Sequence, residues 1–221
     1  MGLKANFIEV SGFTAAMRGM RNPMNSWGNS DSYEEDGIYL LGERDMSLAQ
    51  SLTLSGPEHR KFQRMIHVSM DISAPLYWWK EFDTYKVGTV ANSCSTMHKI
   101  HAKPFVREDF ACEHLEPLSI METNDICEDY DFTAALDQMI YYLNCARKMY
   151  VETKDKRYWW QMIQLLPSSY IQKRTVDFSY ETARKMYFER RNHKLDEWHQ
   201  FCDILAELPY AQELIMLEGE A

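Results

Sequence analysis

No segment of the 221-residue chain approaches the roughly 20 consecutive apolar residues of a membrane-spanning helix, which excludes an integral helical membrane protein. The opening residues carry no apolar run and no small-residue cleavage pattern, so the expected compartment is the cytoplasm, away from the membrane. No two cysteines are spaced CxxC. Cys94, Cys112, Cys127, Cys145 and Cys202 are odd in number and scattered, which reads as reduced thiols and excludes a disulfide framework or a zinc knuckle. A dinucleotide GxGxxG, a Walker lysine loop, a GxSxG elbow and an HExxH helix are all missing, and the families they mark go with them. Nine glycines and seven prolines are too few to build a linker, so a single domain over residues 1–221 is expected. Positive charge is also short: 24 Lys+Arg stand against 33 Asp+Glu, a net charge of -9 that would repel a nucleic-acid backbone. One small phosphorylated ligand remains compatible with that balance.

What the chain has is apolar bulk. Six Trp, 13 Tyr, 10 Phe and 14 Met supply a core that needs no staple at this length. A short strand is expected at Asn6–Val10, a helix over Gly12–Met20, and a polar loop from Asn22 to Asp36. The next helix reads as Asp45–Leu54, capped by Asp45 or Ser47, with Gly56-Pro57 ending it. Glu58–Ile72 is ambiguous between helix and strand. Ser73-Ala74-Pro75 resembles an N-cap with proline in the first turn of a helix reaching Phe82, and Thr89–Ile100 reads as a surface loop. From Phe132 onward, Phe132, Leu136, Met139, Ile140 and Leu143 recur at helical spacing. Trp159, Met162, Ile163 and Leu166 repeat the pattern, and Ala183, Met186, Tyr187 and Arg190, then Trp198, Phe201, Cys202 and Leu205, define two further helices before Leu208-Pro209 ends the run.

Candidate chemistry is sparse. His98-x-x-His101 with His114 lacks the spacing of a metal site, and no metal is expected. The His193–His199 stretch mixes imidazoles with Asp196 and Glu197, which suits acid–base work or a charged turn equally. In a chain of negative balance, Arg184, Lys185, Arg190, Arg191 and Lys194 concentrate positive charge, either for an anionic ligand or as a solvated face paired with Glu181, Glu189 and Asp196.

At this cluster the sequence resembles the flavin-dependent thymidylate synthases. Leu166-Pro167, Thr175–Tyr180, Tyr187–Arg191 and Trp198 follow the order and spacing of that family's closing segments. Upstream, Glu58-His59-x-x-Phe62 resembles its Glu-His-x-x-Phe, and Ala16-Met17-Arg18 to Ser26 resembles its opening. The family's arginine-rich flavin motif is placed best on Thr84-Tyr85-Lys86-Val87-Gly88-Thr89, where only Lys86 keeps a charge. With one inserted residue, Asn92, Ser93, Ser95 and Met97 take the later motif positions. Tyr180 and Thr182 stand where the family carries the Asn and Arg that touch flavin.

The resemblance implies an α+β fold with a mixed or antiparallel sheet and long C-terminal helices, assembled as a homotetramer. It implies reductive methylation of dUMP to dTMP with methylenetetrahydrofolate, NADPH and bound FAD. Arg191, Lys86, Asn92, Ser93 and Ser95 would hold the nucleotide, and His59, Glu81, Thr84, Tyr85 and Lys86 the flavin, with Tyr85, Trp78 or Trp79 offered for stacking. No side chain is assigned the catalytic role. Lysine lacks the planar fork of arginine, so FAD should be held more loosely than is usual for the family. The alternative is a catalytically silent nucleotide-binding or structural protein on the same fold.

Overall fold

The computed structural model describes residues 2–117 and 131–219; Cys127 lies outside them, and the other four cysteines are free. In chain order the first half contains β1 (Lys4–Ser11), α1 (Phe13–Met20), β2 (Tyr33–Glu35), β3 (Ile38–Leu40), α2 (Glu43–Leu54), β4 (His67–Pro75), α3 (Leu76–Phe82), β5 (Thr89–Ser93) and α4 (Thr96–Lys99). The second half contains α5 (Phe132–Thr153), α6 (Lys156–Leu165), β6 (Ile171–Ser179), α7 (Tyr180–Arg190), α8 (Asp196–Ala206) and α9 (Ala211–Leu214). Four strands form a sheet in the order β1-β4-β6-β5, and β2 pairs with β3 as a separate antiparallel hairpin. The class is α+β, as expected. Among the described residues no helix is long and apolar enough to cross a membrane.

The chain folds as two compact units, each built from separated segments. The larger takes Lys4–Ile72, Phe82–Asn92 and Thr175–Ala221. Its core follows strict alternation in β4, where Val68, Met70 and Ile72 are fully buried, and in β6, where Val176 and Phe178 are buried. Phe201 gathers the aromatic rings of this core: Trp198 lies 5.7 Å away, Phe178 6.1 Å and Phe82 6.2 Å, all at steep interplanar angles. Gly12 makes the turn from β1 into α1 at φ +93°, and a Cβ there would meet the Met65 carbonyl oxygen at 1.9 Å. Only glycine fits both constraints.

The smaller unit takes Met1–Leu3, Ser73–Glu81 and Ser93–Arg174. Here α5 and α6 form a helical hairpin whose two-residue joint is chemically plain: Lys154 closes α5 in the left-handed region (φ 58°), and the Asp155 carboxylate caps α6 through the Arg157 amide. Their apolar faces meet Ile100, Phe105 and Phe110 through Leu136, Leu143, Ala146 and Met162. Asn144 ties the Phe105 backbone at both its N–H and its C=O, each at 2.9 Å.

Several expectations are corrected. Within Asn22–Asp36, the loop gives way at Tyr33 to a hairpin, turned by Asp36-Gly37 with both φ values positive (50° and 77°). Asp45 does not cap α2. The helix begins at Glu43, and Asp31, reaching from the preceding loop, accepts from the amides of Arg44 (2.9 Å) and Asp45 (3.0 Å). Ser73-Ala74-Pro75 is the end of β4, where proline is tolerated because no further ladder donor is needed from it, and helix α3 starts at Leu76. Thr89–Ile100 is not a loop: Thr89–Ser93 is a strand at the edge of the sheet, followed by α4. Most of β5 is exposed, which is why it shows no apolar alternation. Past Leu208-Pro209 the chain forms one more helical turn, α9.

Candidate functional site

Within the larger unit, four segments wall a cleft of about 740 Å³. The turn Thr84–Gly88 and the start of β5 form one side, and the first turns of α7, with Thr182 and Lys185, face them. Arg64 and His67 contribute from the entry to β4, Asp177–Ser179 from the end of β6. Gly88 lets the two walls approach, because a Cβ at that position would lie 2.4 Å from Thr182 Oγ1. Ser179 caps α7 by accepting from the Thr182 amide at 3.3 Å.

The turn is anchored from behind. Tyr85 is buried, its hydroxyl donating to Glu189 and accepting from Arg190 Nε, both at 2.8 Å. Burial pushes the phenol up to about 12, with Arg190 pulling it partly back, so the ring stays protonated across the physiological range. The Arg190 guanidinium lies 5.4 Å from the Tyr85 ring and 4.8 Å from the Trp198 ring. Lys86, next in the chain, is left exposed on the cleft side and makes no ion pair among the described residues.

The floor is polar by alternation. His67 and Ser69, on the face of β4 opposite its buried residues, meet Asp177 of β6: His67 Nδ1 is 3.0 Å from one carboxylate oxygen, and Ser69 donates to the other at 2.8 Å. Arg64 forms a bidentate pair with Glu181. Both acidic groups of the cleft are therefore engaged, which leaves Lys86, and Lys185 at 4.0 Å from Glu189 one turn on, as its anion-facing charges.

Of the residues singled out from the sequence, Thr84, Tyr85, Lys86 and Thr182 meet in this cleft. Tyr180 does not, being fully buried with its hydroxyl on the Pro209 carbonyl at 2.7 Å. Trp78 and Trp79 are fully buried in the smaller unit, and Arg174 covers the Trp79 ring at 4.3 Å, so stacking of a ligand on either indole is overturned by burial. His59 and Asn92 are exposed and Arg191 is exposed, paired with Glu218; none of the three lines the cleft. Glu81, Ser93 and Ser95 belong to the smaller unit, where Ser95 Oγ caps α4 by accepting from the His98 amide at 3.1 Å. Among the described residues no cluster of His, Cys, Asp or Glu could hold a metal, and His101 packs edge-on against Tyr150 at 4.9 Å. His193 accepts from the Leu195 amide at 3.2 Å, so it serves the turn before α8.

The positive cluster is split by helical geometry. At about 100° per residue, Arg184 points to the Ile215 carbonyl, Arg190 to Tyr85, Arg191 to Glu218, and Lys185 toward the cleft. The sequence reading missed His67, Ser69 and Asp177. Its available signal was the period-two run Ile66, Val68, Met70, Ile72, which puts His67, Ser69 and Asp71 together on the opposite face.

No protein-family model matches the sequence, and no curated protein matches it. Solved structures do match. The crystal structure of flavin-dependent thymidylate synthase from Helicobacter pylori complexed with FAD and dUMP aligns over 97% of this chain and 98% of its own, with TM-score 0.65 and 15% identity. A second structure of that enzyme with FAD and dUMP aligns over 97% of both chains, with TM-score 0.66 and 15% identity. This chain has the α+β fold of the flavin-dependent thymidylate synthases.

Proposed function

We propose that the protein is a divergent flavin-dependent thymidylate synthase, cytoplasmic and homotetrameric, that converts dUMP to dTMP using methylenetetrahydrofolate, NADPH and FAD. The observation that carries this reading is the cleft. Thr84, Tyr85 and Lys86, the segment that resembles the flavin motif, face the first turns of α7, the helix that resembles the family's flavin-contacting helix.

The cleft's residues suit an anionic cofactor of this kind. Its volume of about 740 Å³ is in the range of cofactor pockets, its carboxylates are already engaged, and Lys86 and Lys185 are turned toward it. Lys86 and Lys185, with the Thr84 and Thr182 hydroxyls, would hold the diphosphate, while Tyr85 fixes the turn that carries them. When bound, FAD supplies the hydride-carrying chemistry, and the protein supplies orientation and charge. Arg191, freed from Glu218, would take the nucleotide, with Asn92, Ser93 and Ser95 contributing from β5 and the segment after it; His59 and Glu81 complete the proposed flavin set. His67, on the cleft wall, is oriented by Asp177.

Quenching of FAD fluorescence by titrated protein tests the cofactor, and tritium release from labelled dUMP tests turnover. Lys86→Gln should raise the FAD dissociation constant about tenfold or more, the usual effect of losing one charge-assisted contact. Unchanged FAD affinity in that variant would remove Lys86 from the site. Arg191→Ala should weaken dUMP binding by a similar factor in titration calorimetry, about tenfold or more. Equal heats for both proteins would sink its carried-over role. A second reading, a nucleotide-binding protein without catalysis, is favoured by the pairing of Arg191 with Glu218; it predicts stabilisation by dUMP with no tritium release.

A further inference from the structure

Beside the cleft lies a second pocket of about 480 Å³, which shares Glu181, Thr182 and Lys185 with it and adds Arg60, Arg184, Phe188 and Glu189. We propose that this pocket is a phosphate-binding site in which the guanidinium groups of Arg60 and Arg184 grip the oxygens of a small organic phosphate. Thr182 and Lys185 also border the proposed flavin cleft, but Arg60 and Arg184, on which the proposal turns, do not, and neither Thr84–Lys86 nor Arg191 lines the pocket.

Positive charge outweighs negative on the pocket wall, where Arg60, Arg184 and Lys185 stand against Glu181 and Glu189. Arg60 stands at the start of the 3-10 turn Arg60–Met65, and Arg184 on α7. The acids of the pocket wall are engaged by other groups as well: Glu181 is held by the Arg64 guanidinium at both oxygens, and Glu189 accepts from Tyr85 and lies 4.0 Å from Lys185. Arg60 Nε is buried without a hydrogen-bond partner, 3.9 Å from Glu181, while its Nη1 donates to the Thr53 carbonyl at 3.2 Å. Arg184 Nη1 donates to the Ile215 carbonyl at 2.8 Å. Among the described residues, neither arginine has a carboxylate in hydrogen-bond contact. Burial, and then the positive charge of Arg60, push Arg184 down to about 10, with the Glu218 carboxylate pulling it partly back.

Shape selects the anion. Arg184 lies 4.6 Å over the Phe188 ring, which holds its planar fork in one orientation. One fork uses both oxygens of a carboxylate, whereas a tetrahedral phosphate has oxygens for two forks arriving from different elements, with Lys185 as a third donor. The pocket is larger than a phosphate ion and has the Phe188 ring on its wall, so the remaining space suits an organic substituent.

Titration calorimetry on the full chain, with inorganic phosphate, glycerol phosphate and succinate as separate probes, tests this. Saturable heat is expected with both phosphates, glycerol phosphate binding the tighter, and little with succinate. Arg60→Gln and Arg184→Gln should each weaken phosphate binding about tenfold or more, whereas Lys86→Gln should leave it unchanged. Circular dichroism checks that the variants fold; if Arg184→Gln does not, Arg184→Lys keeps the charge without the fork and should still bind more weakly. Absence of phosphate heat in the wild type, equal binding in the arginine variants, or succinate binding as tightly as phosphate would each overturn the proposal. Tighter binding of inorganic phosphate than of the ester would overturn its organic part. Loss of FAD in Lys86→Gln with phosphate binding intact keeps the two sites' outcomes separate.

Discussion

Replacing Asp45 by Ala should cost about 3 to 5 kcal/mol of stability, the range for removing one partner of a buried ion pair. Asp45 is fully buried and Arg21 nearly so, with Arg21 Nε 2.6 Å from one carboxylate oxygen. The other oxygen accepts from the Ser30 and Ser32 hydroxyls, each at 2.6 Å, and from the Ser32 amide at 3.1 Å. Truncation would strand the Arg21 charge in the interior and release the loop that Ser30 and Ser32 tie to α2. Urea denaturation at neutral pH measures the loss; one below about 1 kcal/mol would mean that water reaches Arg21 and replaces the carboxylate.

The same carboxylate gives a pH signature. Burial alone would raise its pKa, but the hydrogen bonds from Ser30, Ser32 and Arg21 outweigh burial and hold it below the usual carboxylate range. A folded pKa below the unfolded one contributes stability that is complete above the unfolded value, about 3.9. That contribution is lost as pH falls through the lower folded value. The stability gap between wild type and Asp45→Ala should therefore be widest near neutrality and narrow in acid. A gap that widened in acid would contradict the assignment.

Trp198→Ala should cost a comparable amount, about 3 to 5 kcal/mol, because a fully buried indole leaves a cavity that the surrounding rings cannot fill. Its second consequence falls on the cleft. Trp198 is the surface against which Arg190 lies, and Arg190 in turn donates to Tyr85, which anchors the turn carrying Thr84 and Lys86. Hydrogen exchange should therefore accelerate over residues 83–88 in Trp198→Ala, and much less in Trp198→Phe, which keeps most of the apolar bulk. Lost stability without faster exchange in that turn would show that the indole fills space but does not support the site.

The helices of the C-terminal half were legible because their signal is local. Leu136 and Leu143, and Trp198, Phe201 and Leu205, repeat at helical spacing and are buried as that spacing requires, whereas Phe132 at the head of the first pattern is exposed. The family's order of segments, from Glu58-His59 to Trp198, pointed to the fold that the structural match shows. The alternation in β4 was legible too, but lay inside a stretch where helical and strand patterns overlap.

Short-range spacing thus carried the main helices, since it depends on neighbours a few residues away, while the fold class was implied by the order of the segments that resemble the family. The partners of charged side chains depended on chain contacts. The basic residues near α7 read as one patch, yet Arg190, Arg191, Arg184 and Lys185 turn respectively to Tyr85, Glu218, the Ile215 carbonyl and the cleft, because the helical rotation gives each a different neighbour. Asp45 read as a helix cap and became the buried counter-ion of Arg21, a partner 24 positions earlier in the chain. His67 and Asp177 meet across 110 positions only because β4 and β6 lie side by side in the sheet. Pairing between distant segments is set by packing of the whole core, and no window of sequence contains it.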